Sequence, residues 1–354
     1  MDEMREGLEF AKRSRSRMDV VVSTQQLGIK EAKRILGDIL QVGMACTDVE
    51  YAEELSCDVE MLTGYCIPGV IKNFRHLFSL LYYIDVPEKY PDILAHINYM
   101  LVVLDQAEKY LKLRAEGMNI DVTSLIEAHL GYPWENIDFL ENKMYEEDAE
   151  LLQVSFYSIR EHERETFMDK GYWFDLKSRK IHYTSKIRPK CAIRYIKGCD
   201  TEYDVLQPKI LFIYPGRINC RIRWKETQRR AITSKDMAVL LESAETDYTD
   251  AVNRMKESFR EPLANPAPAL LIKLHKAFIH GDHLVLEDEH GGLLTVRDSS
   301  DDGAPTSELL RAVLPAQSVG CALLVEVNED YRPVLFSVKP LSVITPDRII
   351  RLLY

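Results

Sequence analysis

Apolar residues in the first third of the chain recur every three or four positions. Ala32, Ile35, Leu36, Ile39 and Leu40 form one such stripe, and Ile71, Phe74, Leu77, Phe78, Leu81 and Ile84 another. Ile93, Leu94, Ile97, Met100, Leu101, Leu104 and Leu111 form a third, after the breaks at Pro87 and Pro91 and before Gly117. This spacing places each set on one face of a helix, and such faces pair in a bundle. A shorter helix is expected from Thr123 to Leu130, stopped by Gly131. Core packing accounts for every one of these stripes.

Near residue 150 the period falls from 3.6 to 2. Leu152, Val154 and Phe156 alternate with Gln153 and Ser155, and Tyr172, Phe174 and Leu176 repeat the same two-residue spacing, the mark of half-buried strands. Lys177, Ser178 and Arg179 suit a turn, with Ile181 and Tyr183 on the returning strand. Further strands are expected at Ile193–Ile196, Ile210–Tyr214 and Cys220–Trp224, the last pair turned at Pro215-Gly216. Ser234 fits an N-cap with Asp236 in the first turn. Behind it Met237, Leu240, Leu241 and Ala244 form a stripe that Tyr248, Ala251, Val252, Met255 and Phe259 continue with some drift. After the proline-rich connector 261–269, strands return at Ala277–His280, His283–Leu286, Leu293–Val296, Cys321–Val327 and Val334–Val338. The stretch 298–308 is expected to be a mobile loop.

The fold class expected is therefore α+β: an N-terminal helical domain, then antiparallel sheet with an intervening helix. The domains fall at 1–148, 149–260 and 261–354, in keeping with a chain of 354 residues, longer than single cores usually grow.

Charge sharpens the picture. The whole chain is −11, yet residues 170–230 hold sixteen Lys or Arg against five Asp or Glu. That segment is +11 and the remainder −22. Three causes fit. Lys and Arg can occupy the wet face of strands, their stems covering apolar surface. A basic sheet can dock on an acidic surface, such as the stretch YEEDAE (145–150) or a protein partner, with opposed potentials fixing register. Or the cations can neutralise phosphates while Tyr172, Trp173, Tyr183, Tyr195 and Trp224 stack on unpaired bases. The binding surface expected comprises Lys177, Arg179, Lys180, Lys186, Arg188, Arg194, Arg217, Arg221 and Arg223 with Trp173 and Trp224. A protein partner is the leading reading and single-stranded nucleic acid the alternative.

Catalytic signatures are missing. There is no phosphate-cradling glycine loop of the G-x-x-x-x-G-K-[ST] or G-x-G-x-x-G kind, and no G-x-S-x-G elbow. His162-Glu163 lacks the second histidine of a zinc helix, since Thr166 stands there. Cys46, Cys57, Cys66, Cys191, Cys199, Cys220 and Cys321 include no C-x-x-C pair and read as reduced, mostly buried residues. His275, His280, His283 and His290 lie near Asp282, Asp288 and Glu289. Gly281-Asp282 reads as a two-residue hairpin turn that would set His280 against His283, a weak surface metal site at most. No metal or cofactor is expected. Neither a run of about 18 apolar residues nor an apolar signal core occurs, and the expected location is the cytoplasm.

Several segments resemble the region that follows the finger in bacterial SWIM zinc-finger proteins. They are GLEFAKR (7–13), EEDAELLQVSFY (146–157), GYWFDLKSRKIHYTSKIRPKCAIRYIKGCD (171–200), LQPKILFIYPGRINCRIRW (206–224) and RPVLFSVKPLSV (332–343). The finger itself, C-x-C then C-x-H, is missing, so no zinc ligand carries over. The resemblance implies a finger-less relative: a non-catalytic component acting with an AAA-type ATPase or a von Willebrand A-domain protein.

Overall fold

The structure is a computed structural model. It describes residues 2–43, 49–81, 90–116, 126–131, 136–141, 143–161, 166–189, 201–214, 216, 218–259, 268–298, 305–314, 320–330 and 335–352. The chain divides into two compact units, Met1–Glu135 and Asn136–Tyr354. Helices precede antiparallel sheets, so the chain is α+β. The break comes at 135 rather than 148. The strands on either side of residue 260 share one unit and one core, so the expected third domain does not stand apart.

The first unit contains α1 (Asp2–Val42), α2 (Val49–Met61), a 3-10 turn (Leu62–Tyr65), α3 (Pro68–Leu81), α4 (Tyr90–Ala115) and α5 (Ile126–Leu130). The expected stripes supply its core: Ala32, Ile35, Leu36 and Ile39 from α1, Phe74, Leu77 and Phe78 from α3, and Ile97, Met100, Leu104 and Leu111 from α4 are all buried. The buried face is narrower than the stripes, because Leu40, Leu94 and Leu101 are exposed. Pro91 sits in the first turn of α4, where its missing N–H costs nothing. Gly69 is required by close approach, since a Cβ there would lie 2.1 Å from the His129 carbonyl oxygen.

The second unit opens with α6 (Asn136–Glu141). A five-stranded sheet has the order β4-β3-β2-β5-β8, from β2 (Leu151–Glu161), β3 (Thr166–Asp175), β4 (Ile181–Pro189), β5 (Val205–Pro208) and β8 (Thr227–Arg230). A three-stranded sheet joins β1 (Tyr145–Glu147), β6 (Ile210–Ile213) and β7 (Ile222–Arg223). The largest sheet has the order β10-β11-β12-β14-β13-β9, with β15 (Ile349–Arg351) also on β14. Its other strands are β9 (Ala269–Lys273), β10 (Lys276–His280), β11 (His283–Glu287), β12 (Leu293–Val296), β13 (Ala322–Asp330) and β14 (Leu335–Ile344). Among the named strands, pairings are antiparallel except β12 with β14.

Alternation along the strands explains the layering. Leu152, Val154, Tyr172 and Phe174 pack on Leu271, Leu324, Leu341 and Ile344 of the largest sheet, with Met237 and Leu240 of α7 (Ser234–Glu242). The opposite face of the five-stranded sheet, through Leu151, Trp173 and Leu206, meets Leu211 and Ile222 of the three-stranded sheet. The far side of the largest sheet is closed by Tyr248, Ala251 and Met255 of α8 (Tyr248–Phe259) and Leu310 of α9 (Thr306–Val313). The central sheet is thus covered on both faces, and the wet face expected for it does not exist there.

A bulge between Gln153 and Ser155 ties the layers. The bulge takes carbonyls out of the regular ladder, and two of them find partners on the largest sheet. Ser342 Oγ donates to the Val154 oxygen at 2.6 Å and Arg351 Nη2 to the Gln153 oxygen at 2.6 Å.

Three local expectations are corrected. The N-cap of α7 is Thr233, one residue earlier than expected. Its Oγ1 accepts from the Asp236 N–H while the Asp236 carboxylate accepts from the Thr233 N–H, a capping box. The single helix expected from 234 to 259 is two, α7 and α8, broken at 243–247 where the stripe drifts. The expected loop 298–308 contains the start of α9, and Asp298 Oδ1 accepts from Thr306 Oγ1 and the Ser307 N–H, both at 2.9 Å. The expected strand at 193–196 lies outside the described residues.

Candidate interaction surface

The β3–β4 hairpin carries the expected cations because one carboxylate shapes its turn. Asp175 accepts from the N–H of Lys177 at 3.1 Å, the N–H of Ser178 at 3.2 Å and Ser178 Oγ at 2.5 Å. It also accepts from the Glu150 N–H at 3.2 Å. Arg179 closes the turn in the left-handed region, with φ of 57°. The folding of Asp175 into the turn leaves Lys177, Arg179 and Lys180 exposed on its outside.

Eleven of the sixteen cations in 170–230 have described side chains. Five meet carboxylates of the same unit. Lys170 Nζ lies 2.8 Å from Glu326, Lys209 2.6 Å from Glu226 and Arg229 2.8 Å from Glu202. Arg230 binds Glu150 and, at 2.7 Å, Asp236. Arg179 stands 3.8 Å from Glu242 with both side chains more than half exposed, a contact worth little in water. Glu150 belongs to the acidic stretch 145–150, which thus meets one cation of the basic segment.

Two more arginines lean on rings. Arg221 donates to the Ser185 carbonyl at 3.1 Å and lies 4.8 Å from the Tyr214 ring centre. Arg223 donates to Asn136 Oδ1 at 2.9 Å and sits 4.6 Å from the Phe139 ring centre. Lys177, Lys180, Lys186 and Lys225 have no ion-pair partner among the described residues. Arg188 is placed on β4 opposite Phe167. Arg194 and Arg217 lie outside the described residues.

The expected aromatics are largely interior. Tyr172 is fully buried and Trp173 is 5% exposed. Trp173 Nε1 donates to Thr184 Oγ1 at 3.0 Å, and the ring meets half-buried Trp224 edge to face at 5.0 Å. A base cannot stack on a ring enclosed in this way, so the expected stacking role of Tyr172 and Trp173 is withdrawn. The cause is the second covering layer, which period-2 alternation does not reveal.

β4 is the last strand of its sheet, and the segment 220–221 meets it at Tyr183, whose N–H donates to the Cys220 carbonyl at 3.1 Å. Lys177, Arg179 and Lys180 stand at the start of β4 and Lys186 near its end, with Arg221 held beside it at Ser185. Six residues of strand separate the two groups by about 20 Å. The result is a strip of positive charge along one edge, not a face.

Sequence reasoning missed the buried partners. Glu326 on β13 is 5% exposed and accepts from Tyr157 Oη at 2.6 Å, Tyr172 Oη at 2.5 Å and Lys170. Burial alone would raise its carboxyl, but the Lys170 charge and these hydrogen bonds outweigh it and hold the group below the ordinary range. His280 and His283 do face each other across the β10–β11 turn, with Gly281 at φ of 60°. No group of three or more metal-ligating side chains occurs among the described residues, and no described helix is long and apolar enough to cross a membrane.

No family model matches the chain, and no curated protein matches it. One solved structure is similar in part: a murine DNA-binding protein bound with double-stranded DNA, at 10% identity and a TM-score of 0.26, over 58% of this chain and 98% of that one. At that score the likeness establishes neither fold nor function for this chain.

Proposed function

We propose that this chain is a non-catalytic, cytoplasmic interaction module whose β4 edge receives an acidic protein segment. The observation that carries the reading is the strip itself. Lys177 and Lys180 in the β3–β4 turn and Lys186 on β4 are exposed and have no carboxylate partner among the described residues, beside Arg179 and Arg221. Lys170, Lys209, Arg229 and Arg230 of the same segment meet carboxylates within the fold, and the strip groups lysines that do not. Complementary charge of this kind steers encounter and fixes register. The burial of Tyr172 and Trp173 favours carboxylates over unpaired bases, because stacking supplies much of single-strand affinity. The SWIM resemblance supplies the first partners to try, an AAA-type ATPase or a von Willebrand A-domain protein.

The test compares a polyglutamate peptide with an oligothymidylate of equal charge at about 50 mM salt. The peptide should bind, and the triple variant Lys177→Glu, Lys180→Glu, Lys186→Glu should lose that binding. Tight oligothymidylate binding with a log–log salt slope near −0.7 per phosphate, and none to the peptide, would replace this reading with the nucleic-acid one.

A further inference from the structure

Three consecutive residues run along the outer side of β4. Asn219 Nδ2 donates to the Ile181 carbonyl at 3.3 Å, the Tyr183 N–H donates to the Cys220 carbonyl at 3.1 Å, and Arg221 Nη2 donates to the Ser185 carbonyl at 3.1 Å. Segment 219–221 is therefore a strap laid parallel to the strand. Of these three bonds, the middle one alone joins backbone to backbone. Asn219, in the left-handed region with φ of 47°, anchors the near end by also accepting from the Ala269 N–H at 2.7 Å. At the far end the chain enters β7 of the three-stranded sheet.

Beside the strap lies a group that the surface reading does not use. His182 stands opposite Trp173, on the face of β4 that the three-stranded sheet covers. It is 2% exposed, and neither ring nitrogen has a hydrogen-bond partner among the described residues. Buried polar groups are nearly always satisfied, and an orphaned one calls for a reason. Burial is the largest influence on the ring and lowers its pKa. Asp175 of β3 favours the protonated ring, but its two oxygens already accept from Glu150, Lys177 and Ser178. The Cys220 carbonyl favours it too; it lies outside hydrogen-bonding geometry and already serves Tyr183. Lys180 of the turn opposes protonation. The Cys220 thiol is pushed up by burial and stays neutral. Glu146 of β1, near Asp175, Lys180 and Cys220, is also pushed up, by burial and then by Asp175.

We propose that the strap is a proton-sensitive latch: when His182 takes up a proton, its second ring N–H draws the Cys220 carbonyl away from Tyr183, and segment 219–221 leaves β4. Opening lets water reach the imidazolium. It also frees Arg221 from Ser185, adding a cation and an open strand edge to the strip; this consequence rests on the strip receiving an acidic segment, and the latch itself does not. With the strap open, the ring titrates in the ordinary histidine range, about 6.5. With it closed, the ring resists protonation, so closure is complete above that range and is lost as pH falls below it. Glu146 pulls the other way, because a raised carboxyl favours the closed form in acid. The sign of the pH dependence therefore tells the two groups apart.

The experiment follows amide hydrogen exchange of the full chain at about pH 7.5 and about pH 5.5, either side of the ordinary histidine value, corrected for the intrinsic rate at each pH. The nitrogen-15 shifts of the His182 ring are titrated alongside. On acidification the Tyr183 N–H should lose protection about tenfold, while Leu323 in the largest sheet keeps its own. The midpoint of that loss should coincide with protonation of His182. His182→Phe keeps a ring that takes no proton, and should hold Tyr183 protected at both pH values. Should that variant fail to fold, the coincidence of midpoints in the wild type decides the point. A Tyr183 loss under about twofold, equal losses at Tyr183 and Leu323, or midpoints that differ would overturn the latch. Polyglutamate should bind several-fold tighter at the lower pH, and the gain should vanish in His182→Phe; a gain that persists there would overturn the link from latch to strip. Tyr183 opening with no peptide binding at either pH would overturn the strip reading and leave the latch standing.

Discussion

Two places on β3 and β4 use the same lysine chemistry to opposite ends. On β3, Lys170 points between layers, meets Glu326 at 2.8 Å and has its ammonium 4.9 Å from the Tyr172 ring centre. A few residues on, Lys177 and Lys180 project from the turn into water. Local sequence does not distinguish them, for all three lie in the same basic run. The difference is what covers each position. Where the largest sheet closes over β3, a cation survives only with a carboxylate brought from residue 326. Where the turn projects, a cation needs no partner and is available to one. A charge-rich segment can therefore serve as internal mortar and external surface within a dozen residues.

The buried end of that comparison carries the largest expected effect. Glu326→Ala removes the acceptor of Lys170 and of two tyrosine hydroxyls, leaving a buried ammonium uncompensated. Breaking a buried pair from one side costs about 3–5 kcal/mol. Urea unfolding should show that loss, and a change under about 1 kcal/mol would mean that water reaches the cluster and that the contrast with the turn is false.

Much of this organisation was legible before the coordinates. The stripes of α1, α3 and α4 and the two-residue spacing in β2 and β3 follow from burial of one face, which periodicity reports directly. The break between α7 and α8 was not expected, because the stripe continues across it with only some drift. The Gly281-Asp282 turn, and with it the His280–His283 register, followed from turn chemistry. What escaped was tertiary. Glu326 lies 156 residues from Lys170, and no local pattern announces that pairing. Trp173 stands between Tyr172 and Phe174, and only the tertiary fold shows that the three-stranded sheet covers its side of the strand. The helix α9 was hidden by a polar run rich in turn-forming residues. Of the candidate surface, the hairpin that carries Lys177, Arg179 and Lys180 followed from spacing and a turn signal, whereas Asn219, whose left-handed backbone and two long-range hydrogen bonds tie the sheet edges, leaves no periodic trace.

An intermediate case sharpens the comparison. Arg230 is part-buried and joins Glu150 and Asp236 across the start of α7. Hydrogen bonding to Arg230, aided by the Thr233 N–H and hydroxyl, holds the Asp236 carboxyl at about 2. Because its pKa is depressed on folding, Asp236 contributes stability that is complete above the ordinary aspartate range and is lost as pH falls through about 2. Asp236→Asn should therefore cost about 2 kcal/mol at neutral pH. The gap between wild type and variant should close progressively below about pH 4. A gap that is independent of pH would show the loss to be geometric, a broken capping box rather than a broken charge contact.

The exposed end should give the smallest effect, and its smallness is the point. Lys177→Ala, Lys180→Ala and Lys186→Ala together remove three cations that no carboxylate among the described residues pairs with. Surface substitutions away from caps and buried networks change stability by less than about 0.5 kcal/mol each. They also relieve repulsion among like charges, which offsets part of any loss of packing by the lysine stems. Thermal unfolding of the triple variant should thus stay close to wild type while polyglutamate binding falls. If instead the variant unfolded several degrees lower, the lysines would be engaged within the molecule. The edge of β4 would then have nothing left to offer a partner.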